Sequence, residues 1–544
     1  MLKKSFTWLL IVMLVLGVLT GCGQKPTATP PVEEAKGEPM VLKYNLGEDI
    51  KTLDPQLNSV INAGIVLVNT YEGLMRLDKN EKAIPGMAEK YEVSEDGTKY
   101  TFHLRDALWS DGQPVKAQDF EYAWKRALDP ALASEYAFQL YYLKNGKQFN
   151  EGQANADAVG VKAVDDKTLE VTLEAPTPYF LELTAFFTLF PVRKDMVEKD
   201  PENWARNPET AVSNGPFKMT EYKMGESIVI EKNDNYYGKD RVKLDRVDMA
   251  MIVEASTALT AYEAGDIDLI DDIPNQEIER LKANDPNFVA LPYLANYYYI
   301  FRLDKKPVDD VRVRKALTLA IDRKAIVENI LKAGQKPATG FVPPGLFDAN
   351  GKDFRETNGD FGIDPNAANI EEAKKLLAEA GFPDGKGFPE IELLYNTSES
   401  HKAIAEAIQE MWKKNLGINV SLANQEWAVF QTTLTEGNFV LGKGNWFGDY
   451  GDPMTFLDLW TSYSGKNTTG WKSPEYDKFI EEAKTTTGQE RFGKMYDAEK
   501  LLMDNYIVMP IYYYTDTMLI KEYVKGWKKS ILGYLYFDEV TIEK

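Results

Sequence analysis

Histidine and cysteine are almost missing from these 544 residues: His103, His401 and Cys22 are all there are. A single thiol can form no intrachain disulfide and no cysteine-pair zinc site. The two histidines lie far apart, with no HExxH or GxSxG context, so metalloprotease and α/β-hydrolase chemistry have no marker. No glycine-rich phosphate loop stands out, and nothing calls for a cofactor or a metal. Positive charge is also short. Sixty-three Lys and Arg face 84 Asp and Glu, a net charge of −21. That argues against nucleic acid, whose capture needs clustered cations. Carboxylates are so common that pairs arise by chance. Asp271 and Asp272 therefore read as loop acids rather than metal ligands, and two-carboxylate glycoside hydrolysis is an alternative without a marker.

What is present begins at the N-terminus. Lys3 and Lys4 precede an apolar run, Trp8 to Leu16, followed by small residues, the order of a secretory leader. The run is shorter than the roughly 20 residues a membrane span needs. It ends in Leu19-Thr20-Gly21-Cys22, which resembles the bacterial lipobox. That resemblance implies cleavage before Cys22 and a diacylglycerol on its sulfur, with a plain signal peptide as the alternative. Two acyl chains would hold the protein stably at a membrane surface. Loss of Lys3 and Lys4 with the leader takes the net charge to about −23. The next segment, to Pro39, is rich in Pro, Ala, Thr and Glu and has little to bury, the composition of a tether. The remaining roughly 500 residues exceed one core, so two or three domains are expected. No later stretch is long and apolar enough to span a bilayer.

Periodicity outlines the elements. Val41–Leu46 reads as a strand and Ala63–Leu74 as a helix. Tyr91–Arg105 is a hairpin around Asp96-Gly97. Ala117–Ala127 is an amphipathic helix, Thr168–Leu173 an alternating strand, and Phe217–Tyr222 with Ser227–Glu231 a second hairpin. Ser256–Ala264 is helical, with Gly265 as its cap. Beyond Val308 the pattern shifts: helices at Val311–Ala320, Arg323–Leu331, Ile370–Ala380, His401–Asn415 and Glu490–Met503, and strands at Ile391–Tyr395, Ile418–Leu422 and Val508–Tyr514. Strand–helix–strand order predicts a parallel α/β layer.

Several blocks in fixed order resemble the bacterial oligopeptide-binding proteins, the family 5 solute receptors of peptide ABC importers, from about Val41 to the C-terminus. They include Ala88-Glu89-Lys90-Tyr91, Trp109-Ser110-Asp111-Gly112, Ser213-Asn214-Gly215-Pro216-Phe217, Val311–Leu317 with Ala320–Arg323, and Trp446–Pro453. The resemblance implies an α/β fold of the two-lobed periplasmic-binding type (type II, cluster C) with an extra domain in the first lobe. The expected layout is leader 1–21, tether 22–39, first lobe 40–72, 200–300 and 515–544, extra domain 73–199, and second lobe 301–514. It implies a monomeric receptor, not an enzyme, that closes on a short peptide and delivers it to an importer. Asp449 falls where the family holds the ligand's amine. Trp446 and Trp427 would wall the side-chain pockets, and Lys443 and His401 fall on positions that meet the ligand's carboxylate. Two further cationic positions of the family are occupied here by Leu434 and Leu331. Ser59 to Ile61 and Phe447 would pair with the ligand's backbone, and Tyr136 and Asp272 would lie near it. An oligosaccharide, dipeptide, metal chelate or signalling peptide is the alternative ligand within the same fold, since fold does not fix function. An extracellular hydrolase is the alternative outside it.

Overall fold

Two long antiparallel strands, Phe288–Phe301 and Val508–Ile520, organise the molecule. The computed structural model describes residues 39–47, 50, 52–78 and 81–544. The expected leader, Cys22 and all of the tether but Pro39 lie outside them. The two strands pair from Phe288↔Leu519 to Pro292↔Thr515, slip, and resume from Asn296↔Tyr513 to Ile300↔Val508. Pro292 sits at the slip, where the lack of an N–H already weakens a ladder. Before the slip the sheet continues through Leu269–Ile270, Val41–Asn45, Arg246–Ala250, Ser227–Lys232 and Phe217–Lys223. After it, the sheet continues through Leu441–Phe447, Ile391–Asn396 and Val420–Gln425. The eleven-stranded sheet is thus two half-sheets that share two strands.

Burial follows the same division. Residues 288–293 are partly or fully exposed, whereas 294–301 are buried without a break. A continuously buried run is what a strand covered on both faces requires. In the second half-sheet, Ile391–Asn396 lies parallel to Val420–Gln425 and to the start of Leu441–Phe447, the expected parallel layer. Elsewhere the sheet is mixed.

A separate four-stranded antiparallel sheet joins Ala88–Val93, Lys99–Leu104, Thr168–Thr172 and Val161–Ala163. The helix Ala117–Leu128 packs beside it, burying Phe120, Ala123, Trp124 and Ala127 at helical spacing. Asp119 closes its first turn by accepting from the Lys116 N–H at 3.0 Å. Gly97 and Gly265 take positive φ at 68° and 85°, as the hairpin turn and helix cap require.

Several element limits differ from expectation. The helix at 63–74 runs instead over Ile61–Thr70, because Tyr71 turns extended and Met75 enters a short strand. Arg323–Leu331 is α-helical only to Ile326, then widens into a π turn closed by Lys332 at φ 64°. The strand placed at Ile418–Leu422 lies at Val420–Gln425, in register with Ile391–Asn396. Val508–Tyr514 continues to Ile520.

Candidate ligand cavity

The site forms where one edge of a strand is left free. Leu441–Phe447 pairs along its whole length with the long strand, from Phe301↔Leu441 to Ala295↔Phe447. On its other edge it pairs only at Leu393↔Leu441 and Leu394↔Gly442. From Lys443 onward that edge borders a cavity of about 620 Å³, well within the range of built ligand sites. Glycine at 442 and 444 lets neighbours close on the strand. A Cβ at Gly442 would meet Leu434 Cδ2 at 2.7 Å, and one at Gly444 would meet the Tyr298 ring at 2.4 Å.

Past the strand, the chain turns through Gly448, whose N–H donates to Leu294 O at 2.8 Å, and Asp449, whose N–H donates to Thr455 Oγ1 at 3.0 Å. Asp452 holds the turn. It accepts both guanidinium arms of Arg491 at 2.7 Å and the Met454 N–H at 2.9 Å. Tyr450 stacks on Tyr179 at 4.7 Å. These contacts aim Asp449 into the cavity.

Asp449 is 7% exposed. Its carboxylate accepts from Tyr136 Oη and Gln139 Nε2, each at 3.0 Å, and among the described residues no cation is in contact with it. Burial pushes its carboxyl up to about 7, against the hydrogen bonds from Tyr136 and Gln139, which favour ionisation. Lys443 is 2% exposed. Its Nζ donates to Asn445 Oδ1 at 2.6 Å and lies 5.3 Å from the centre of the Tyr297 ring, with no carboxylate in contact among the described residues. Burial lowers it to about 7. Among the described residues, the buried acid Asp449 and the buried base Lys443 thus have only neutral groups in hydrogen-bond contact with their charged atoms, while Lys466 acts on Asp449 from further off.

Of the other expected residues, Ser59, Ile61, Tyr136, Trp427, Trp446 and Phe447 border the cavity. The Asn58 side chain shapes the first segment, accepting from the Val60 N–H at 3.1 Å and donating to Val60 O at 3.0 Å. Trp427 stands at the rim, 54% exposed. Two expected residues are not among the lining. His401 sits behind Lys443, its Nδ1 3.2 Å from Asn396 O and its ring 5.5 Å from Tyr297. Burial and then the charge of Lys443 depress it to about 3, so it is neutral. Asp272 is exposed and away from the cavity. Its neighbour Asp271 meets Lys529 at 3.1 Å and accepts from Tyr44 Oη at 3.0 Å. Gln139, Tyr298, Ile300 and Tyr534 belong to the site and carry no sequence signal, apart from the one-turn spacing of Gln139 from Tyr136.

The model for bacterial extracellular solute-binding proteins, family 5, matches residues 82–468. The chain belongs to this family. The oligopeptide-binding protein OppA of Bacillus subtilis is 40% identical, over 98% of this chain and 99% of its own. A periplasmic oligopeptide-binding protein of Borrelia burgdorferi superposes with a TM-score of 0.81 at 32% identity, covering 92% of this chain and all of that one. OppA of Haemophilus influenzae, solved in complex with the peptide RPPGFSPFR, gives 0.80 at 32% identity, covering 93% and all. The fold is accordingly the two-lobed type II form. The family's proteins are extracytoplasmic receptors for solutes. No helix among the described residues is long and apolar enough to cross a membrane.

Proposed function

We propose that the cavity binds short peptides with both termini free, presented by a receptor that serves an ABC importer. The carrying observation is the pair of buried, uncompensated charges at Asp449 and Lys443. An isolated buried charge costs several kcal/mol. A zwitterionic chain offers both missing partners, an ammonium for Asp449 and a carboxylate for Lys443. The free edge from Lys443 to Phe447 offers the peptide's backbone a strand to join. The two anchors are six positions apart in sequence. At about 3.3 Å per extended residue that is at most about 20 Å, a span of a few peptide residues. Trp446, Trp427 and Phe447 then supply broad walls, and Ser59 to Ile61 close the opposite side. Asp272 plays no part in this reading, and His401 acts only through Lys443.

The lobes are assigned as 40–72, 200–300 and 515–544 for the first, 73–199 for the extra domain and 301–514 for the second. The slip at 293–295 supports this division, with the hinge a few residues before 301. Tyr136 and Gln139 then reach from the extra domain to Asp449 on the second lobe, so ligand capture and lobe closure share one carboxylate. Cys22 carries the lipid anchor, and the receptor works as a monomer.

The test is mass spectrometry of ligand released from the purified protein, followed by titration with tri- to pentapeptides. Short peptides should be recovered, and N-acetylation or C-amidation of a bound peptide should each weaken it at least tenfold. A sugar or metal chelate as the recovered ligand, or indifference to blocked termini, overturns the reading.

A further inference from the structure

We propose that the cavity reads a bound peptide's side chains in alternation, demanding apolar residues at every second position and accepting polar or charged ones between. This rests on the peptide reading above. A chain that joins a free strand edge sends successive side chains to opposite faces of the sheet, and directly opposed residues share a face. The two faces at this edge differ in kind.

On one face lie Gly442 and Gly444, with Ile300 and Tyr298 opposite them. Leu434 closes over Gly442, Tyr298 over Gly444, and Trp460 packs against Tyr298 with ring centres 5.9 Å apart. Phe430 completes the wall. Leu434, Ile300, Tyr298 and Trp460 are at most 9% exposed, and this wall holds no charged side chain. On the other face lie Lys443 and Asn445, with Tyr299 and Tyr297 opposite and His401 behind. The remaining charged groups of the cavity, Glu135, Asp449 and Lys466, belong to the opposite end, where Lys466 lowers the carboxyl of Asp449. A charged ligand side chain sent to the first face is desolvated against rings and aliphatic carbons with no charged group to pair with. Sent to the second, it keeps polar neighbours.

The decisive experiment is calorimetric titration of the purified full chain with tri-, tetra- and penta-alanine hosts. Each position is replaced in turn by Leu, Lys or Glu. Lys or Glu should cost about 100-fold in affinity relative to Leu at alternate positions, and less than about fivefold at the positions between. The same series on Leu434→Glu should recover at least tenfold for Lys at one restricted position and leave the permissive ones unchanged. Equal tolerance at every position, or discrimination without a two-residue period, overturns the proposal while leaving peptide binding intact. If no host binds, including those with Leu, the peptide reading itself falls and this inference with it.

Discussion

Peptide affinity should pass through a maximum near pH 7. Asp449 is pushed up to about 7 and Lys443 down to about 7, both by burial. The groups around Asp449 are Tyr136, Gln139, Thr455, Asp458 and Lys466; those around Lys443 are Asn445, Tyr297 and His401. Asp449 meets an ammonium only as a carboxylate. Below pH 7 it is protonated, binding must expel that proton, and affinity falls about tenfold per pH unit. Lys443 meets a carboxylate only as an ammonium. Above pH 7 it is neutral, binding must take up a proton, and affinity again falls about tenfold per unit. At the maximum each group is already half in the wrong form, so relative to it these two groups cost about 25-fold at pH 5 and at pH 9. The loss is larger on the alkaline side, because a free α-amino group titrates at about 8. His401, near 3, stays neutral throughout. The assay is calorimetric titration with one peptide from pH 5 to 9 at constant ionic strength. Asp449→Asn should flatten the acid limb and Lys443→Met the alkaline limb. Affinity constant within threefold across the range refutes the argument, because it would mean that neither buried charge meets the ligand.

At pH 7, Asp449→Asn should weaken free-amine peptides by about 3 kcal/mol, roughly 100-fold, by leaving an ammonium buried beside a neutral amide; an N-acetyl peptide, bound weakly by both forms, should show almost no difference in the same titration. Arg491→Met strands the buried Asp452 carboxylate and should cost 3–5 kcal/mol of stability. Thermal unfolding should drop by several degrees, and adding Asp452→Asn should restore part of the loss; an unchanged melting temperature contradicts the role given to that pair. Cys22→Ser should move the protein from the membrane fraction to the medium or periplasm on cell fractionation, and retention at the membrane counts against the lipid anchor.

Much of the fold was legible because its signals are local. The hairpin around Gly97, the helices at Ala117 and Ile370 and the parallel strand at Ile391 are written in alternation, helical spacing and turn glycines within a dozen residues. Two strands that shape the site were less legible. Phe288–Phe301 changes from a half-exposed to a fully buried pattern midway, so no single periodicity describes it, and Leu441–Phe447 carries two glycines that lower any strand signal. Their register shift and free edge are properties of pairing between segments 48 to more than 200 residues apart.

The same division runs through the site. The residues of Trp446–Pro453 marked Asp449 by motif, and Lys443 stands three positions before it begins. By itself the sequence determined the kind of chain this is: acidic, nearly free of thiols and imidazoles, with a family motif and elements set by local spacing. Tertiary structure alone decided which charges lack a partner. Asp452 and Asp449 are three residues apart and equally acidic on paper, yet one is neutralised by Arg491 and the other, among the described residues, accepts from Tyr136 and Gln139 with no cation in contact. Likewise Asp272 falls outside the cavity and His401 one layer behind it. The reason is that desolvation and charge pairing depend on neighbours brought from 39 to more than 300 residues away, distances over which sequence spacing carries no geometric information.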